Sequence, residues 1–115
     1  MENEIEKLSK EYQDIQEKIQ TLEYQKMQFN AQIQEYENAE EEIENSTQKI
    51  YIVIGGIMIE TTKEKAKAGI KEKKESIEMR LNIINTQQSK TSAKEHELRE
   101  QLTKLLNNPT NGKQQ

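Results

Sequence analysis

Ile50-Tyr51-Ile52-Val53-Ile54-Gly55-Gly56-Ile57-Met58-Ile59 stands apart from everything around it. The run carries no charge, whereas charged residues make up 33% of the chain. Two apolar segments flank a Gly pair, which suits the type I′ turn, where both central residues need positive φ. The pattern predicts a two-stranded β-hairpin over about residues 50–60, bracketed by Thr47 and by Glu60-Thr61-Thr62. A short buried helix would have to carry two Gly and six β-branched residues in its middle. Strand alternation puts Ile50, Ile52 and Ile54 on one face and Tyr51 and Val53 on the other, so both faces are apolar. An isolated two-stranded ribbon is marginal in water, and its free edges are templates for another chain. The hairpin therefore predicts oligomerisation, in which ribbons from several subunits complete a larger sheet or barrel.

On either side the pattern changes to heptads. With Ile5 at position a, the a series is Ile5, Tyr12, Ile19, Lys26, Ile33 and Glu40. The d series is Leu8, Ile15, Leu22, Phe29, Tyr36 and Ile43, so ten of the twelve are apolar. A period of about 3.5 held this long marks a coiled coil, because a straight helix at about 3.6 residues per turn drifts off a fixed partner. The first helix is predicted over about residues 3–46. Downstream, Ile70, Ile77, Ile84, Thr91, Leu98 and Leu105 form one series, and Lys74, Leu81, Gln88, Glu95 and Leu102 the other. They predict a second helix over about residues 62–107, with a polar break from Gln87 to Glu97. Thr61-Thr62-Lys63-Glu64 fits a capping box with Thr61 as the cap. Asn107-Asn108-Pro109 is a stop, leaving residues 1–109 as one domain and 110–115 as a flexible tail.

Two arms of similar length joined by a hairpin predict an antiparallel pair. Matching the ends sets Ile43 near Ile70, Glu40 near Lys74, Lys26 near Gln88 and Leu8 near Leu105. Pairing polar layers avoids burying one against an apolar face and sets the register. Charge agrees: residues 1–49 carry 13 acidic and 5 basic residues, whereas 50–115 carry 8 and 12. The rival arrangement is a parallel homodimer through the first arm. The fold class expected is mainly α: a long antiparallel two-helix coiled coil joined by a β-hairpin that completes an intersubunit β-barrel.

Composition narrows the function. Leu, Ile, Val and Phe make up a fifth of the 115 residues, too few for a compact core with a lined cleft. The absence of Cys excludes disulfides and thiol chemistry. No apolar run is long enough to span a membrane, and Met1-Glu2-Asn3-Glu4 lacks the basic and apolar regions of a secretory signal, which predicts an intracellular chain. A net charge of −4 weighs against nucleic acid. His96 has no second His or Cys at ligand spacing, so no metal and no cofactor are expected. Gly55-Gly56 lacks the Lys-Ser/Thr of a phosphate loop. Met27, Met58 and Met79 are expected to be packing residues, and Glu40-Glu41-Glu42 with Glu44 a solvated face. No catalytic residues are expected.

The run 50–59, followed by Glu64, Ile70 and Glu75-Ser76-Ile77-Glu78-Met79-Arg80-Leu81, resembles the beta-type subunits of the prefoldin family, those of archaea in particular. Tyr51 and Gly55 stand where that family has its strand Tyr and turn Gly. Ile52 departs from the usual Lys, and Gly56 stands where Asn or Pro is commoner. A single hairpin matches the beta type, since the alpha-type subunit has two. The resemblance implies a heterohexamer of two alpha-type and four beta-type subunits, with paired β-barrels bearing coiled-coil arms. It implies an ATP-independent holdase in the cytoplasm that captures unfolded polypeptides and delivers them to a group II chaperonin.

On that reading Ile50 through Ile59 form the assembly surface, and Ile5, Leu8, Tyr12, Leu98, Leu102, Leu105 and Leu106 the client-binding ends. The competing account of the end residues is that they merely zip the coil, which suits Leu8, Leu102 and Leu105 better than Leu106. An adaptor that tethers folded partners is the competing function. It needs no doubly apolar ribbon between its arms.

Overall fold

Heptad spacing and a Gly-Gly turn leave the backbone few choices, and the computed structural model, which describes residues 2–107, follows them. Helix α1 spans Glu2–Asn45, strands β1 and β2 span Ile50–Ile54 and Ile57–Thr61, and helix α2 spans Lys63–Asn107. Every a and d residue from Ile5 to Ile43 is at least half-buried, as is every seam residue of α2 from Ile70 to Leu105. Outside those positions nearly all helical residues are exposed, which is the signature of one narrow stripe on each helix. The helices run antiparallel, as expected from the hairpin between them. The expected stop at Asn108-Pro109 and the tail at 110–115 lie outside the described residues.

β1 and β2 pair antiparallel with Ile50 opposite Thr61, Ile52 opposite Ile59, and Ile54 opposite Ile57. Gly55 and Gly56 hold φ of 56° and 81°, a left-handed pair that side chains disfavour and that lets two residues close the ribbon. The pairing consumes Thr61, and this corrects the expected cap. Thr62 is the N-cap: its Oγ1 accepts the Lys65 N–H at 3.2 Å, and its carbonyl accepts the Ala66 N–H at 2.9 Å. The third helical residue is thus Lys65 rather than Glu64, and no reciprocal box forms.

The chain divides into two compact units, Lys26–Ile83 and a pairing of Met1–Gln25 with Ile84–Gln115. In the first unit, Ala66 and Ile77 are buried. Lys74 Nζ lies 3.0 Å from Glu40 Oε1 and 3.6 Å from Glu37 Oε2, which makes the Glu40–Lys74 layer expected from the register. Lys67 pairs with the Glu44 carboxylate, and Lys63 Nζ donates to the Glu44 carbonyl at 3.0 Å. Helix α1 has no basic residue in its last turn, so these lysines from α2 supply the positive charge that a helix C-terminus favours.

In the second unit, Leu22, Ile84, Thr91 and Leu98 are buried. The polar break in α2 is satisfied rather than stranded. Glu95 Oε2 accepts from Tyr12 Oη at 2.9 Å and from Gln16 Nε2 at 3.1 Å, and Gln88 Nε2 donates to Glu23 Oε2 at 2.9 Å. Among the described residues no buried side-chain nitrogen or oxygen lacks a hydrogen-bond partner.

Candidate functional site

The ribbon is the first candidate surface. Alternation along the observed register places Ile50, Ile52, Ile54, Ile57 and Ile59 on one face and Tyr51, Val53, Met58 and Glu60 on the other. Except for half-buried Ile50, every residue from Tyr51 to Ile59 is exposed, with Val53 at 68% and Ile57 at 64%. At its base one ion pair joins Lys49 Nζ to Glu60 Oε1 at 3.8 Å. A contiguous apolar surface of this kind marks an interface. Met58 belongs to it, and Met27 and Met79 are also exposed on the helices, so these three are not the packing residues the sequence led us to expect.

The helix ends are the second. Ile5, Leu8, Tyr12, Leu102 and Leu105 are half-buried, Leu98 is 1% exposed, and Leu106 is 64% exposed. Leu98 thus serves the seam, and Leu106 faces outward. Tyr12 is half-buried with its phenol committed to Glu95, a carboxylate also approached by Arg99 Nη1 at 3.8 Å. Leu8 and Leu105 meet, as the register required, in an open groove of about 350 Å³. Its other lining residues, Glu4, Lys7, Glu11 and Gln101, escaped the reading of the sequence. The signal was present: Glu4, Leu8 and Glu11 follow i, i+4, i+7 spacing along one helix face.

Electrostatics separate the two surfaces. The hydrogen bond and charge of Lys67 hold the Glu44 carboxyl below its ordinary range, and Glu44 in turn raises the Lys67 ammonium. Glu40, through its hydrogen bond, raises Lys74. The acidic run near the ribbon is therefore partly neutralised across the pair rather than wholly solvated. His96, an exposed surface residue, sits between Arg99 Nη2 at 3.2 Å and Glu100 Oε1 at 3.2 Å. Among the described residues no group of three or more His, Cys, Asp or Glu could hold a metal ion, and no helix is long and apolar enough to cross a membrane.

A doubly apolar hairpin between two coiled-coil arms is the arrangement of a known family, and the sequence profile of prefoldin subunits matches residues 6–108. The chain belongs to the prefoldin family. It is similar to prefoldin subunit beta of Pyrococcus furiosus, with 39% identity over 99 residues, 84% of this chain and 85% of that protein. The subunit beta of Pyrobaculum neutrophilum is 30% identical over 113 residues, 96% of this chain and 90% of its own. The crystal structure of the prefoldin beta subunit from Thermococcus strain KS-1 superposes with a TM-score of 0.84 at 30% identity, covering 90% of this chain and 92% of that one. Within prefoldin the relatives are archaeal beta-type subunits, which accounts for the single hairpin. Prefoldins are ATP-independent, non-enzymatic chaperones of the cytoplasm that work with alpha-type partner subunits and group II chaperonins.

Proposed function

We propose that this chain is one arm of a prefoldin heterohexamer with two alpha-type and four beta-type subunits. Its ribbon completes an intersubunit β-barrel, and its helix ends hold unfolded polypeptides for delivery to the chaperonin. The observation that carries the assembly is the ribbon itself, seven large apolar side chains exposed from Tyr51 to Ile59. At about 1.5–3 kcal/mol for each large apolar side chain fully buried, covering them contributes on the order of 10 kcal/mol gross, enough to drive association after entropy is deducted. Two free strand edges give partner strands their hydrogen bonds.

The ends suit client capture for a different reason. Leu8 and Leu105 line an open groove and Leu106 is exposed, in a polar frame without a closed pocket. Several weak, adaptable contacts repeated on several arms give avidity without sequence specificity. The experiment is to assemble the chain with an alpha-type subunit, measure native mass, and compare it with a version lacking both helix ends. The expected result is a mixed hexamer in both cases, with suppression of client aggregation lost only in the shortened one. An assembled, shortened protein that still suppresses aggregation without nucleotide would reject the placement of client binding.

A further inference from the structure

The groove between the helix ends is not electrically neutral, and this bears on what it holds. Leu8 and Leu105 form its apolar part, while Glu4, Glu11, Lys7 and Gln101 line the rest. Two carboxylates face one ammonium. Among the described residues neither Glu4 nor Glu11 makes an ion pair, and Lys7 does not pair with Glu11 although the two are four residues apart. Lys preceding Glu is the weaker orientation of such a pair. The helix dipole accounts for acidic residues in the first turn of α1 and so covers Glu4; it falls off before Glu11, in the third turn. Glu6, Asp14 and Glu17 add to the same end of α1, against Lys10 and Lys18, while the facing end of α2 is balanced, with Lys94, Arg99 and Lys104 against Glu95, Glu97 and Glu100. The groove is thus an apolar floor set in a negative field, within reach of solvent.

Resting on the reading that the helix ends hold clients, we propose that this groove selects client segments in which an apolar side chain is flanked by a basic residue. The apolar side chain lies on Leu8 and Leu105, and the flanking ammonium or guanidinium lies beside Glu4 and Glu11. Lys7, the one cation in the lining, repels a basic flank and so limits the preference. The chain's own residues 108–115, Asn-Pro-Thr-Asn-Gly-Lys-Gln-Gln, offer Lys113 but no large apolar side chain, which makes them a poor occupant. Exposed charge pairs are individually weak, so two of them shift affinity by about threefold to tenfold, and the shift collapses at about 0.5 M salt.

The test uses two labelled peptides with the same leucine-rich centre, one flanked by Lys and one by Glu, binding to the full assembly. The Lys-flanked peptide is expected to bind about threefold to tenfold tighter at low salt. In Glu4→Gln/Glu11→Gln the two should bind alike, and Lys7→Gln should widen the preference. Both are exchanges at exposed or half-buried positions, and helical content by circular dichroism checks that they fold. Equal binding of the two peptides by the parent, or a preference that survives Glu4→Gln/Glu11→Gln, overturns the proposal while leaving end capture intact. Peptide binding unaffected by Leu8→Ser/Leu105→Ser removes the end-capture reading itself. A gain in binding on deleting residues 108–115 would mean that the tail fills the groove, which also overturns the proposal.

Discussion

Replacing Glu95 by Ala and by Leu should have different consequences, and the difference measures what the polar layer does. The Glu95 side chain is 15% exposed, yet it lies on the seam of α2 where an apolar residue would ordinarily sit. It accepts from Tyr12 Oη at 2.9 Å and Gln16 Nε2 at 3.1 Å. Hydrogen bonds to a carboxylate contribute about 1.5–3 kcal/mol each, and the lower end applies because Tyr12 and Gln16 are only half-buried and can rehydrate. Glu95→Ala therefore costs about 2–3 kcal/mol. Glu95→Leu loses the same bonds but buries a large apolar side chain worth about 1.5–3 kcal/mol, which brings it to within about 1 kcal/mol of the parent. Hydrogen exchange of residues 84–107 in the assembled protein reads the result directly. At about 1.4 kcal/mol per tenfold, Ala should speed exchange there by about 30-fold or more and Leu by less than about fivefold. Equal acceleration by Ala and Leu, or none by either, would refute the claim that the layer is held by these bonds and offset by burial.

Two other perturbations follow from the backbone and the charges. Gly56→Ala places a side chain at φ 81°, where nothing crowds it within 4 Å, so its cost of about 1–2 kcal/mol is purely conformational. Gly69→Ala, in the body of α2 with equally open space, should stabilise by about 0.5–1 kcal/mol; thermal melts that move in the same direction for both would contradict this. Glu44 has its carboxyl lowered from 4.5, so the stabilisation from its pair with Lys67 is full above that value and lost as pH falls through the depressed one. Lys67 and Lys74 are raised from 10.5, so their share is full below that value and lost as pH rises through the raised ones. Helix melting should accordingly fall off at both extremes, and Lys67→Met should show a shallower acid limb than the parent; an unchanged limb would discount the pair.

Most of the fold was legible because its period is rigid. A seam residue every three or four positions has one geometric solution, and every position of the a and d series is at least partly buried, down to Lys26, Lys74 and Glu95. The Glu40–Lys74 layer was legible for the same reason. What escaped depends on competition between neighbours. Thr61 and Thr62 are equally good caps by composition, and only the ladder bond between Ile50 and Thr61 decides that Thr62 takes the role. The partners of Glu95 escaped because matching the ends aligns residues but not side-chain reach, and Tyr12 and Gln16 lie one turn apart on α1. The groove escaped because its polar lining lies off the seam, where heptad reading does not look.

On the proposed function, assembly and client capture would draw on different units of one chain. A two-helix seam buries little: Leu22, Ala66, Ile77, Ile84 and Leu98 are the only buried apolar residues among those described. The unit from Lys26 to Ile83 contains the ribbon, so association through its exposed apolar faces would add stability there. The unit built from the helix ends has no such contribution. It is held by a seam in which Gln88, Thr91 and Glu95 follow one another, with no apolar seam residue of α2 between Ile84 and Leu98. Segments with few buried apolar contacts open first. A surface that must fit many client shapes needs that looseness, and a barrel strand needs the reverse. Strengthening the end seam with Leu at Gln88 should therefore narrow the range of clients whose aggregation is suppressed, with the native mass of the assembly unchanged.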